Sequence, residues 1–157
     1  MKLTKIPYGR LNARQKENFN FQKLSAVLAD YGYVTYRLSD DWEGADLIAQ
    51  HVSGEVVRVQ LKSRLGFYKK YRGKDLYVAF ADGDTWYLYG HDELLARVLK
   101  RTRIGATRSW KERGGYSFAS ISAQLRGLLE PYRISDDGTP VPKKPPNKRL
   151  KVGKHLQ

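Results

Sequence analysis

The chain has 157 residues, no cysteine and a formal net charge of +13. Without cysteine there are no disulfides, no thiol nucleophile and no thiolate zinc site. The basic balance points to a polyanionic partner, nucleic acid before a membrane surface.

Residues 1–11 are basic and irregular, with Pro7 and Gly9. No apolar run follows Met1, so a cytoplasmic protein with no signal peptide is the expectation. Asn12 with Gln15 three residues on predicts a capping box, and Gly32 predicts the helix end. Phe21, Leu24, Leu28 and Tyr31 recur at helical spacing, and one turn back the same stripe reaches Glu17. A short strand is expected over 34–38, followed by an acidic loop, 39–44, whose Asp40, Asp41 and Glu43 are turn formers or outer partners of a metal.

Two β-type runs then flank a Ser-Gly turn, with Asp46 at the start of the first and Gln60 and Lys62 at the end of the second. Strand alternation puts Val57, Val59 and Leu61 on one face and Arg58, Gln60 and Lys62 on the other. A three-residue loop, Ser53-Gly54-Glu55, would set Asp46 opposite Lys62 on the polar face, whereas a two-residue loop would turn Asp46 away. Carboxylate, amide oxygen and ammonium at one point suit a hard divalent ion beside a charge-stabilising lysine. The plainer alternative is a half-buried hairpin with a solvated outer face.

The stretch 63–74 carries five basic residues, three aromatics and no acid, and its Arg64, Lys69, Lys70, Tyr71, Arg72 and Lys74 are expected along a phosphate backbone. A second hairpin is expected over 76–81 and 85–89, then a helix from about Glu93 to Lys100 with Leu94, Leu95, Val98 and Leu99 inward. His91 has no visible partner and reads as structural. The stretch 97–113 is again basic, so Arg101, Arg103, Arg108 and Lys111 are further backbone contacts. A strand over 116–121 and a short helix capped by Ser122 complete a domain at 1–130. Residues 131–157 hold five of the six prolines and read as a basic tail, mobile or ordered on DNA.

The order helix with Glu17, strand, Asp46, hairpin, Gln60-Leu61-Lys62, strand, strand, helix resembles the PD-(D/E)XK, or restriction-endonuclease-like, nuclease superfamily over residues 12–100. Within it, 57–63 and the Tyr/Lys/Arg loop are similar to the Holliday junction resolvase branch and to the small homing endonucleases of group I introns, which share the glutamine. The sequence departs from the pattern in lacking a proline before Asp46 and in placing Gln60 where most members have an acid.

The resemblance implies an α/β core with a mixed, mainly antiparallel sheet of four to five strands flanked by helices. It implies Mg²⁺-dependent DNA cleavage, with Mn²⁺ able to substitute. Glu17, Asp46, Gln60 and Lys62 would be catalytic, and Asp46, Gln60, Glu17 and the carbonyl of Leu61 would hold the metal. The substrate would be duplex or branched DNA, cut in homing fashion by a homo-oligomer, with junction resolution as the alternative. A DNA-binding module on a degenerate nuclease fold, or an RNA-binding protein, are the rivals from other classes. Arg58, Arg64, Arg72, Arg101, Arg103 and Arg108 are all possible guanine readers.

Overall fold

The computed structural model describes residues 1–134. Its centre is a six-stranded sheet in the order β1-β2-β3-β5-β6-β8: β1 Tyr33–Trp42, β2 Ala45–His51, β3 Val56–Leu61, β5 Tyr77–Asp82, β6 Thr85–Gly90 and β8 Arg133–Ile134. A separate two-stranded ribbon pairs β4 Gly66–Tyr68 with β7 Gly115–Ser117. The mixed α/β architecture and the mainly antiparallel sheet agree with expectation. The main sheet is wider than the expected four to five strands, because the residues after the last helix return to it as β8.

The first helix, α1 Ala13–Asp30, begins with the predicted reciprocal cap, Asn12 to the Gln15 amide and Gln15 back to the Asn12 amide. It ends at Gly32, whose φ of +77° suits the left-handed position that closes a helix. Its stripe packs Leu24 and Leu28 onto Leu47, Ala49, Val59 and Ala79 on one face of the sheet. Fully burying such a leucine contributes about 1.5–3 kcal/mol. On the opposite face Val78, Phe80, Tyr87 and Tyr89 meet Leu94, Leu95 and Val98 of α2 His91–Arg101, together with Trp110 and Leu125 and Leu129 of α3 Ala123–Leu129. Leu99, expected inside, is only partly buried.

The β2–β3 hairpin pairs Leu47 with Val59 and Gln50 with Val56, which sets Asp46 across from Gln60 rather than Lys62. The loop still holds three residues, but they are Val52, Ser53 and Gly54. The reason is backbone conformation: Gly54 has φ +87°, the left-handed residue that closes a three-residue hairpin loop. The register differs by two residues, so parity is kept and Asp46 stays on the polar face.

The expected acidic loop 39–44 is mostly strand. β1 runs on to Trp42, with a bulge between Arg37 and Trp42, and turns only at Glu43-Gly44. Both turn residues have positive φ, +54° and +92°, as a tight two-residue hairpin requires. The strand expected over 116–121 shortens to β7, and Ser122 caps α3 as predicted.

The connection that matters most is 62–76. β3 and β5 are parallel neighbours, so the chain must leave the sheet and cross it before returning. It crosses without an α-helix, as β4 and a short helical turn, Lys69–Tyr71. The stretch expected as a loop along a phosphate backbone is a packed layer in which Leu65, Gly66, Phe67 and Tyr71 are buried. At the other end Tyr132 and Ile134 are also buried, so residues 131–134 of the stretch read as a tail pack in the body; the rest of that stretch lies outside the described residues. No helix among the described residues is long and apolar enough to cross a membrane.

Candidate active site

A cleft of about 530 Å³ opens where the start of α1 meets the β1–β2–β3 end of the sheet. Glu17, Asp46, Gln60, Leu61 and Lys62, the five residues singled out for chemistry, all line it. Each arrives for a local reason. Glu17 continues the buried stripe of α1 toward the helix start. Asp46 and Gln60 are cross-strand neighbours on the polar face. Lys62 follows β3, where its backbone N–H donates to the Ala79 carbonyl at 2.8 Å.

Asp46 Oδ2 accepts the Leu61 N–H at 2.8 Å and also the Gln60 side-chain amide. Gln60 is nearly closed off from water, and its Oε1 accepts the Tyr71 hydroxyl at 2.9 Å. Asp46 keeps one side open to the cleft while protein crowds the rest of the carboxylate. That crowding raises its pKa above the ordinary value, with Asp41 and Glu17 adding to the rise and the Leu61 N–H and Lys62 opposing it. Burial likewise raises the Tyr71 pKa, so this phenol stays a neutral donor. Lys62 Nζ lies 5.1 Å from the ring centroid of Tyr68 and 5.4 Å from that of Tyr71.

Glu17 is the loosest member: its side chain is 68% exposed and its carboxylate stands 3.8 Å from Arg37. Of the acids before Asp46, Asp40 lines the cleft, Asp41 accepts the Gly44 N–H, and Glu43 pairs with Arg58 at 2.6 Å. Arg58 is thereby held in an ion pair and over the Trp42 ring at 5.5 Å.

No protein family and no curated protein matches the chain. Among solved structures, a bacterial homing endonuclease superposes with a TM-score of 0.44 at 12% identity, over 71% of this chain and 78% of that one. That likeness is too remote to carry an argument about activity.

The basic residues expected on phosphates divide. Arg64, Lys69, Lys70 and Arg72 are exposed on the crossover layer, and Lys74 is half-buried there. Lys69 and Lys70 lie over the rings of Trp110 and Tyr71, at 5.5 and 5.0 Å. Tyr71 is a correction: it is 3% exposed and bonded to Gln60, because the crossover folds it beneath the layer instead of presenting it to solvent. Arg101, Arg103, Arg108 and Lys111 are exposed but are not part of the cleft wall, and Arg108 is paired with Glu112 at 2.7 Å.

In their place the cleft takes Tyr8, Lys16, Asn20, Arg37 and Ser63, none of them an expected site residue. The periodicity that found Glu17 could have found Asn20, three positions on along the same face, and from it Lys16, four positions before Asn20. Tyr8 carried no such signal, because it is placed by a tertiary bond from Asn20 at 2.9 Å.

The donors suit a hard divalent cation, with one adjustment. Asp46, Glu17, the Leu61 carbonyl and the Gln60 amide oxygen offer oxygen only, as Mg²⁺ prefers. The raised pKa of Asp46 comes first from crowding by protein, and a cation in the cleft would oppose it. As the side chains stand, however, Gln60 turns its NH₂ toward Asp46. Ligation requires rotation of that amide, and the Tyr71 hydroxyl can accept the NH₂ after it. Among the described residues no three His, Cys, Asp or Glu side chains cluster as a metal cage, so a cation held here would take part of its shell from neutral oxygens.

Proposed function

We propose that the chain is a metal-dependent endodeoxyribonuclease on a restriction-endonuclease-like core. The observation that carries this reading is the convergence of Asp46, Gln60 and Lys62 with Glu17 in one open cleft. Asp46, Gln60, Glu17 and the Leu61 carbonyl would hold Mg²⁺ or Mn²⁺. A bound cation supplies positive charge beside the phosphate under attack and makes a nearby water more acidic. Lys62 stabilises the negative charge that grows on the phosphate in the transition state. Lys16 and Arg37 on the cleft wall, and Arg64, Lys70 and Arg72 on the crossover layer, hold the flanking phosphates and fix the strand in register.

One cleft of this size engages one strand, so double-strand cleavage of the homing kind requires at least two copies acting together. A four-way junction run beside linear duplex separates that reading from junction resolution, and sedimentation with and without DNA tests the homo-oligomer.

The deciding experiment is nicking of supercoiled DNA with Mg²⁺ or Mn²⁺, using wild type and folded Asp46→Ala and Lys62→Ala variants. Metal-dependent cutting should fall by at least about 10²-fold in each variant, the scale of losing one charge-stabilising group. One observation favours a second reading, a DNA-binding module without catalysis: Gln60 offers an amide nitrogen where a metal needs oxygen. That reading predicts folded, DNA-binding wild type that cuts neither duplex nor junction.

A further inference from the structure

The ammonium of Lys62 is held by aromatic rings. Among the described residues it forms no ion pair, and its Nζ lies within 5.5 Å of two ring centroids, Tyr68 and Tyr71. The two rings meet edge-on, 5.5 Å apart at 71°, and form a corner around the cation.

The corner is built into the backbone on three sides. A Cβ on Gly44 would come within 2.7 Å of the Tyr71 ring, and one on Gly115 within 2.6 Å of the Tyr68 ring. A Cβ on Gly66 would stand 3.2 Å from the Tyr68 hydroxyl. Gly66 and Gly115 have no positive φ, so backbone conformation does not demand glycine there. What demands it is the space around Tyr68, together with the close backbone of the facing ribbon strand. Each residue is also tied in place: the Tyr68 backbone N–H donates to His91 Nε2 at 3.2 Å, and the Tyr71 hydroxyl at the ring's end donates to Gln60.

An aromatic face and a carboxylate hold an ammonium with different consequences. A carboxylate neutralises the charge and occupies N–H donors. A ring attracts the cation through its quadrupole and leaves the charge and the donors available. We propose that Tyr68 and Tyr71 are positioning residues for Lys62: they fix its ammonium beside Asp46 and Gln60 while leaving its N–H groups free for a phosphate oxygen. The catalytic consequence rests on the nuclease reading; the position of the lysine does not.

The test uses full-length protein labelled with ¹³C-lysine, with the Lys62 signal assigned by its loss in Lys62→Arg. Ring currents should displace the Lys62 Hε resonance upfield of free lysine. Tyr68→Leu should return it toward the free position and lower kcat about tenfold with KM nearly unchanged, the scale of one cation–π contact. Tyr68→Phe, which keeps the ring, should restore both. Gly115→Ala, which pushes the ring aside without deleting it, should behave as Tyr68→Leu does; circular dichroism checks the fold of each variant. A wild-type Lys62 resonance at the free-lysine position overturns the proposal. So does a folded Tyr68→Leu with unchanged kcat, or a Tyr68→Phe that rescues neither readout. A displaced resonance in protein that cuts no DNA upholds the corner and refutes the nuclease reading alone.

Discussion

At the scale of single residues the chemistry turns on Gln60. It is buried between an acid that accepts its NH₂ and a phenol that donates to its oxygen, so every polar atom it has is used. A carboxylate in its place would lose the bond to Asp46 and set two acids against each other in a crowded site, which raises the free energy of the metal-free fold. The same second charge would bind a divalent cation more strongly than a neutral amide does. Gln60→Glu should therefore unfold earlier than wild type without metal, by about 1–3 kcal/mol. Millimolar Mg²⁺ should then recover more of that loss than it adds to wild type. Thermal melts with EDTA and with Mg²⁺ measure both. Equal metal-induced shifts in the two proteins would place Gln60 outside the metal shell. The raised pKa of Asp46 adds a pH sign: its proton must leave before a cation can bind, so metal affinity should fall on acidification at a higher pH than for an ordinary aspartate.

Among the elements, the crossover 62–76 decides the site, and α2 holds it down. His91 is fully buried at the start of α2; its Nε2 accepts the Tyr68 N–H, and its Nδ1–H faces Asp92 at 2.8 Å. Asp92 also accepts the Gly73 N–H at 2.7 Å. His91, expected to be structural and without a partner, thus bonds its own sequence neighbour. The Tyr68 bond requires a neutral imidazole, and burial lowers the His91 pKa below 6.5, against the opposing pull of Asp92. Below pH 6.5 the unfolded chain therefore binds the proton first, and stability drains away as pH falls toward the folded-state value. His91→Gln keeps an acceptor for Tyr68 but cannot titrate. It should cost about 1–2 kcal/mol at pH 7.5 and show a shallower loss of Tm toward pH 5 than wild type. Parallel slopes would mean that other groups carry the acid sensitivity. The same elements show what a sequence discloses. Local signals were legible: the Asn12–Gln15 cap, the stripe through Leu24 and Leu28, and the alternation that put Asp46 and Gln60 on one face. The crossover was not. Its Tyr and Lys residues have the composition of a solvated loop, and only the parallel pairing of β3 with β5, a long-range fact, folds them over the polar row.

At the scale of the whole molecule, charge and shape separate. The cleft mixes charges, with Glu17, Asp40 and Asp46 beside Lys16, Arg37 and Lys62, while further cations stand on the crossover layer and after α2, and the sequence 135–157 adds six Lys or Arg against Asp136 and Asp137. Val34, Tyr36, Trp42 and Val56, on the β1 and β3 strands, are exposed. On the nuclease reading the described residues offer one cleft for chemistry, and the cations are sources of sequence-independent attraction. Attraction of that kind acts through counterion release, so affinity for DNA should fall steeply with salt. Ending the chain after Ile134 removes 135–157 and retains every described residue, β8 included. The shortened protein should bind duplex DNA more weakly at low salt. Its plot of log affinity against log salt should also be shallower, by up to about 5 if all six tail cations meet phosphates. Nicking at saturating DNA concentration should change little, since the cleft residues lie between Tyr8 and Ser63. Fluorescence anisotropy across a salt series gives the slope, and the supercoiled-plasmid assay gives the rate. A lost rate with an unchanged slope would reverse the assignment, making the tail part of the cleft's work and leaving attraction to the folded body.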